Sequence, residues 1–107
     1  MEPGNLFKKN NIAGKEELFD TLLENKNLKI ESIVSAGHTT PENTWYDQQD
    51  DEWVILLKGE AEILFEKENN KVQLREGDYI LIPAHCKHRV TYTSTVPQCI
   101  WLAVHIK

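Results

Sequence analysis

The chain has 107 residues, enough for one domain with a single core and too few for two. Its 12 Lys and Arg against 17 Asp and Glu leave a formal charge of −5, which excludes a nucleic-acid binder built on clustered basic residues. No apolar run approaches the roughly 18 residues of a membrane span, and Met1-Glu2-Pro3-Gly4-Asn5 lacks the basic-then-apolar pattern of a signal peptide. A cytoplasmic protein is expected. Cys86 and Cys99 form no CxxC pair and read as reduced thiols.

Residues 1–13 are polar and irregular, with Leu6, Phe7 and Ile12 as the only anchors. Next, Leu18, Phe19, Leu22 and Leu23 fall on one helical face, behind acids placed where a helix dipole favours them. This predicts a short amphipathic helix over 15–24, acting as a lid or brace. The domain expectation is therefore an N-terminal arm and helix over 1–26, followed by a β-rich unit over 27–107.

From Leu28 the period changes to two, with Leu28, Ile30 and Ser32 alternating against Lys29, Glu31 and Ile33. Gly37 and Pro41 mark a loop, and Thr44-Trp45-Tyr46 can resume a strand. Gln48-Gln49-Asp50-Asp51 connects to the strong run Trp53–Leu57. Lys58-Gly59-Glu60 turns into a half-buried strand, in which Ala61, Ile63 and Phe65 oppose Glu60, Glu62 and Glu66. Residues 67–71 then make a hairpin turn into Val72-Gln73-Leu74-Arg75.

Gly77-Asp78 makes a reversal, and Tyr79–Ile82 reads as a strand covered on both faces. Pro83 stops it, having no N–H for a sheet ladder. A second tight turn presents His85 and His88 just before the β-rich segment Val90–Thr93, where a histidine can point into a barrel mouth. Ile100–Ile106 is apolar enough to be a central strand. About eight short strands at regular spacing predict an all-β sandwich or barrel.

Two segments of the chain resemble the motifs of a known family. Gly77-x5-Pro83-x-His85-x2-His88 resembles the second motif of the cupin superfamily, and Glu52-x6-Gly59 resembles the end of the first. The resemblance spans roughly residues 37–92 and implies a single-domain cupin, a double-stranded β-helix or jelly-roll barrel. The wording around Trp45-Tyr46-Asp47-Gln48 and Pro83-Ala84-His85-Cys86 is similar to a group of small bacterial cupins with no well-defined reaction.

In metal-binding cupins the first motif supplies two histidines one residue apart and then a glutamate, and the second motif supplies one more histidine. Carried onto this chain, the first-motif histidine places fall on Tyr46 and Gln48, followed by Glu52, and the last on His88. A second alignment would use Trp45 and Asp47 instead. Strand parity favours the first, because Tyr46, Gln48 and Glu52 are separated by even numbers. Asp47 has the better charge for a ligand but needs a bulge before Glu52. Both first-motif histidines are thus replaced.

The implied metal set is His88, Glu52, Gln48, Tyr46 and His85, for a divalent Zn, Mn, Fe or Ni ion. Cys86 is a weaker addition. His38 could reach the barrel mouth, His105 reads as structural, and Lys87 and Arg89 could attract an anion.

Three functions fit such a barrel. One is a metal-dependent oxygenase or isomerase acting on a small polar molecule. Another is a metal-free, epimerase-like acid–base enzyme with His88 or His85 as base and Tyr46 as acid. The third is a binding or sensor module without catalysis. Trp53, Ile55 and Leu57 alternate against the inward set and need a cover, so a homodimer is expected.

Overall fold

Eight strands follow one another along the chain: β1 (Leu18–Glu24), β2 (Leu28–Ser35), β3 (Asp51–Lys58), β4 (Ala61–Phe65), β5 (Asn70–Leu74), β6 (Tyr79–Ile82), β7 (His88–Thr93) and β8 (Cys99–Ile106). The structure is a computed structural model and describes residues 1–8, 11–12 and 14–107. A five-stranded sheet in the order β1-β2-β8-β3-β6 faces a three-stranded sheet in the order β5-β4-β7. All pairings are antiparallel. This is the expected all-β jelly roll. Among the described residues no helix is long and apolar enough to cross a membrane.

The core follows from period-two side-chain alternation. Val54 and Leu56 on β3 point inward, as do Ala61, Ile63 and Phe65 on β4 and Trp101 and Ala103 on β8. Leu74 and Ile82 close the ends of β5 and β6. Leu56 has no exposed surface, and burying such a side chain contributes about 1.5–3 kcal/mol. Gly59, at the β3–β4 turn, has φ +91°. A Cβ there would lie 2.8 Å from Ser94 Oγ and 2.9 Å from Cys99 Sγ, so only glycine fits.

The predicted helix over 15–24 is a strand. Residues 18–24 pair with β2, from Leu18 opposite Val34 to Glu24 opposite Lys29. The register shifts between Thr21 and Leu23, so Leu22 is an extra residue in the ladder. Apolar residues on both faces of this strand, at 18, 19, 22 and 23, fall at the spacing of a helical face. Tertiary pairing then decides between two conformations that the pattern leaves nearly equal.

Two smaller expectations also change. Tyr79–Ile82 is not covered on both faces, because β6 is a sheet edge with Tyr79 and Leu81 exposed. The segment Thr44–Tyr46 forms no full strand and contributes a single bridge, Tyr46 to His88. The turn at 67–71 contains a 3₁₀ turn, Lys67–Asn69, with positive φ at Glu68 and Asn69. In the N-terminal arm, Ile12 is buried and its N–H donates to Gln98 Oε1 at 3.0 Å.

Candidate active site in the barrel

Between the two sheets lies a cavity of about 340 Å³. That is at the small end of the usual range for ligand pockets. Glu52, the second residue of β3, sits where β3 pairs with Ile82 on β6 and with His105 on β8. Its parity with Val54 and Leu56 turns it inward, and only 8 % of the residue is exposed. His88 opens β7 and is 5 % exposed. Its backbone is fixed on both sides, by pairing with Phe65 on β4 and by a double bridge to Tyr46 with N···O distances of 2.8 and 3.1 Å.

The imidazole of His88 has one defined orientation. Nδ1 lies 2.9 Å from the Cys86 carbonyl oxygen. A carbonyl only accepts, so Nδ1 carries the hydrogen and donates it. In the neutral ring Nε2 is then a bare lone pair, a tautomer assigned from this bonding. Nε2 is 4.0 Å from Glu52 Oε1, too far for a hydrogen bond and close enough for strong charge interaction. The rings of Tyr46 and Phe65 flank the imidazole at centroid distances of 5.5 and 6.0 Å.

The electrostatics follow from this burial. Desolvation pushes the Glu52 carboxyl above the usual carboxylate range, His105 and His88 partly oppose it, and the Glu31 carboxylate adds to it. Desolvation also raises the Tyr46 phenol, with Glu17 and Glu52 adding to the rise and a hydrogen bond with the Thr40 side chain opposing it. The phenol therefore stays protonated throughout the physiological range and serves as a hydrogen-bond donor.

Of the residues expected at the site, Tyr46, Gln48, Glu52 and His88 all line the cavity. His85 does not. It sits at φ +62° with its side chain 67 % exposed, and its Nδ1 is 2.9 Å from Asp47 Oδ1. Asp47 is thereby held outside the barrel with His85, while the even-numbered set Tyr46, Gln48 and Glu52 turns inward. Two hydrogen bonds clamp the two segments together: the His85 N–H donates to Gln48 O, and the Ala84 N–H donates to the Asp51 side-chain Oδ1, both at 2.8 Å. Lys87 and Arg89 are absent from the lining. Arg89 lies over the Trp45 ring at 5.8 Å.

His38 reaches the cavity but has no free nitrogen. Nδ1 accepts the Ala36 N–H at 2.8 Å, and Nε2–H donates to the Lys15 carbonyl at 2.6 Å. His105, read from sequence as structural, lines the cavity with its Nε2 2.9 Å from Glu31 Oε1. Glu17, Phe19 and Glu31 also belong to the wall. Parity with Trp101 and Ala103 was the signal that could have placed His105 there. No local signal places Glu17 or Phe19, because the apolar spacing around them reads as a helical face.

The metal-ligand set does not assemble as the family pattern would have it. Among the described residues no group of three or more His, Cys, Asp or Glu side chains is arranged to hold a metal ion. Of the expected set, the donors that face inward are one imidazole, His88, and one carboxylate, Glu52, with the Gln48 amide and the Tyr46 phenol where histidines would stand. His105 is engaged by Glu31 and His85 faces out. This donor set does not fit a resident divalent ion.

The fold and the pocket define a small barrel with a cavity between its two sheets. A family model described as "Cupin domain" matches residues 31–105, and the chain belongs to the cupin family. Among solved structures, the chain is similar to a "putative mannose-6-phosphate isomerase" from Ralstonia eutropha JMP134. The two share 42 % identity over 100 % of this chain and 99 % of that one, with a TM-score of 0.93. It also resembles a cupin superfamily protein from Desulfitobacterium hafniense DCB-2, at 21 % identity over 85 % and 77 % of the two chains and a TM-score of 0.71. An RmlC-like cupin from Desulfovibrio desulfuricans matches at 18 % identity over 98 % and 96 %, with a TM-score of 0.74. These last two share the fold alone. No curated protein matches the chain significantly.

Proposed function

We propose that this cupin is a metal-free isomerase that moves a proton next to the carbonyl of a small polar molecule. The observation that carries the reading is the bare Nε2 lone pair of His88, buried and facing the cavity beside a carboxylate. In this reaction Nε2 removes the proton from the carbon next to the carbonyl, and the C–H electron pair forms the enediol double bond. The Tyr46 phenol, held neutral by burial, donates a hydrogen bond to the carbonyl oxygen as its charge grows. Glu52 stabilises the imidazolium formed on His88. His88 then returns the proton to the same carbon, which exchanges it with solvent, or to the former carbonyl carbon while the hydroxyl proton of the neighbouring carbon passes to the former carbonyl oxygen, which gives the isomer.

The isomerase description of the Ralstonia relative supports this reaction class. The test is the appearance of solvent deuterium at C2 of an aldose during incubation in D2O, followed by NMR with mannose, mannosamine and mannose 6-phosphate. Wild-type protein is expected to exchange at least one of these well above the His88→Ala background. No exchange in any of the three would sink the acid–base reading and leave a binding module.

Both cysteines are free thiols, which supports a place in the reducing cytoplasm. A homodimer is proposed on the outer face of the larger sheet. There Trp53, Ile55 and Leu57 lie beside the exposed Tyr79 and Leu81, with the Trp53 and Tyr79 rings 5.5 Å apart. Light scattering at about 100 μM should give twice the chain mass, since interfaces of standard size associate well below that concentration. A monomer there would remove the dimer.

A further inference from the structure

The charge of the cavity wall departs from what a phosphorylated sugar would need. Among the described residues its lining carries Glu17, Glu31 and Glu52, and no Lys or Arg. Lys29 comes within 3.8 Å of Glu31 but belongs to the adjoining surface depression, not to this cavity. Even with Glu31 fully offset by Lys29 and His105, two carboxylates remain. Glu17 is bonded to the Ser35 hydroxyl, which leaves its charge uncompensated. Among the described residues the Glu52 carboxylate has no partner nearer than the 4.0 Å contact with His88 Nε2.

Among the described residues, the Glu52 carboxylate and His88 Nε2 border the cavity with no hydrogen bond from the protein, on side chains 10 % and 7 % exposed. Both accept hydrogen bonds when Glu52 is ionised and His88 neutral, and neither can be satisfied by a phosphate oxygen. A buried carboxylate without a partner calls for a cation or a donor. The rest of the wall is largely apolar and includes the rings of Phe19, Tyr46 and Trp101, surfaces that also attract ammonium groups.

We infer that the cavity binds a small protonated amine, with the ammonium group donating to Glu52 and the carbon skeleton against Phe19, Tyr46 and Trp101, and that it rejects phosphorylated substrates. This rests on the acid–base reading only for the location of the site. It sets the chain apart from what its Ralstonia relative is described as acting on.

The experiment is a calorimetric titration of the full chain with mannosamine, mannose and mannose 6-phosphate, three compounds of one skeleton that differ in charge. It is run at about pH 6.5, where an amine of ordinary pKa is protonated. Mannosamine is expected to bind at least about tenfold more tightly than mannose, with mannose 6-phosphate weakest, and added salt should narrow the gap. Glu52→Gln should bring mannosamine to the level of mannose.

Equal binding of mannose and mannosamine, preference for mannose 6-phosphate, or binding of none of the three overturns the inference. The wild-type series decides even if the variant does not fold. The two readings separate cleanly. Amine binding without deuterium exchange defeats the isomerase and keeps the charge preference. Exchange on mannose 6-phosphate keeps the isomerase and defeats the charge preference.

Discussion

Replacing Glu52 by Gln should move activity and stability in opposite directions. When His88 takes a proton, its imidazolium stands 4.0 Å from the Glu52 carboxylate. At that distance a unit charge pair is worth about 4 kcal/mol at an effective dielectric near 20. The cavity opens to water on one side, so about 2–4 kcal/mol of transition-state stabilisation is at stake. That corresponds to a fall of roughly 30- to 1,000-fold in the exchange rate.

Stability should rise instead. Burial raises the folded Glu52 carboxyl above its unfolded value, so the native state holds the proton more tightly than the unfolded chain does. Below the ordinary carboxylate range both states are protonated and Glu52 costs nothing as a charge. As pH rises past the unfolded value the unfolded chain gives up the proton first, so a penalty on the folded state builds until the raised folded value is passed and then stays constant. Glu52→Gln is therefore expected to be the more stable protein at neutral pH, with the advantage fading below about pH 4. Urea melts across pH and deuterium exchange by NMR measure the two effects. An unchanged exchange rate, or a variant less stable than wild type at neutral pH, would refute the placement of an ionised, unpartnered Glu52.

His88→Ala should abolish exchange, a loss of at least about 100-fold as expected for a general base, with ligand affinity changing less than the rate; an equal loss of both would make His88 a binding residue. Gly59→Ala combines a left-handed φ with a 2.8 Å clash and should cost about 2–4 kcal/mol in urea denaturation; a loss under about 1 kcal/mol would mean the turn relaxes freely. Elemental analysis of protein purified without added metal should find less than about 0.1 equivalent of any transition metal, and a stoichiometric ion lost in His88→Ala would return the site to metal chemistry.

Much of the barrel was legible because strands with one buried face announce themselves through alternation. Val54 and Leu56, or Ala61, Ile63 and Phe65, show their inward face directly. The turn residues Gly59 and Gly77 are equally plain, since both adopt positive φ. Glu52, Gln48 and Tyr46 could be placed together by parity alone, and His88 by the strand it opens. His85 could not be excluded from sequence, because its outward turn depends on a left-handed backbone and on Asp47, 38 positions away.

The sequence by itself determined seven of the eight strands, the motif turns and the replacement of both first-motif histidines by Tyr46 and Gln48. Tertiary structure decided what those residues face. Pairing with β2 made residues 18–24 a strand, because apolar residues at 18, 19, 22 and 23 fit a helical face as well as a two-sided strand and only the neighbouring ladder resolves it. The same pairing carries Phe19 to the cavity wall, while β2 and β8 bring Glu31 and His105 beside Glu52. The charge inside a cavity belongs to residues distant in sequence, so composition gives its sign only for the molecule as a whole. Closure of the two sheets decides which carboxylates lose their water together, and that sets the chemistry of the site.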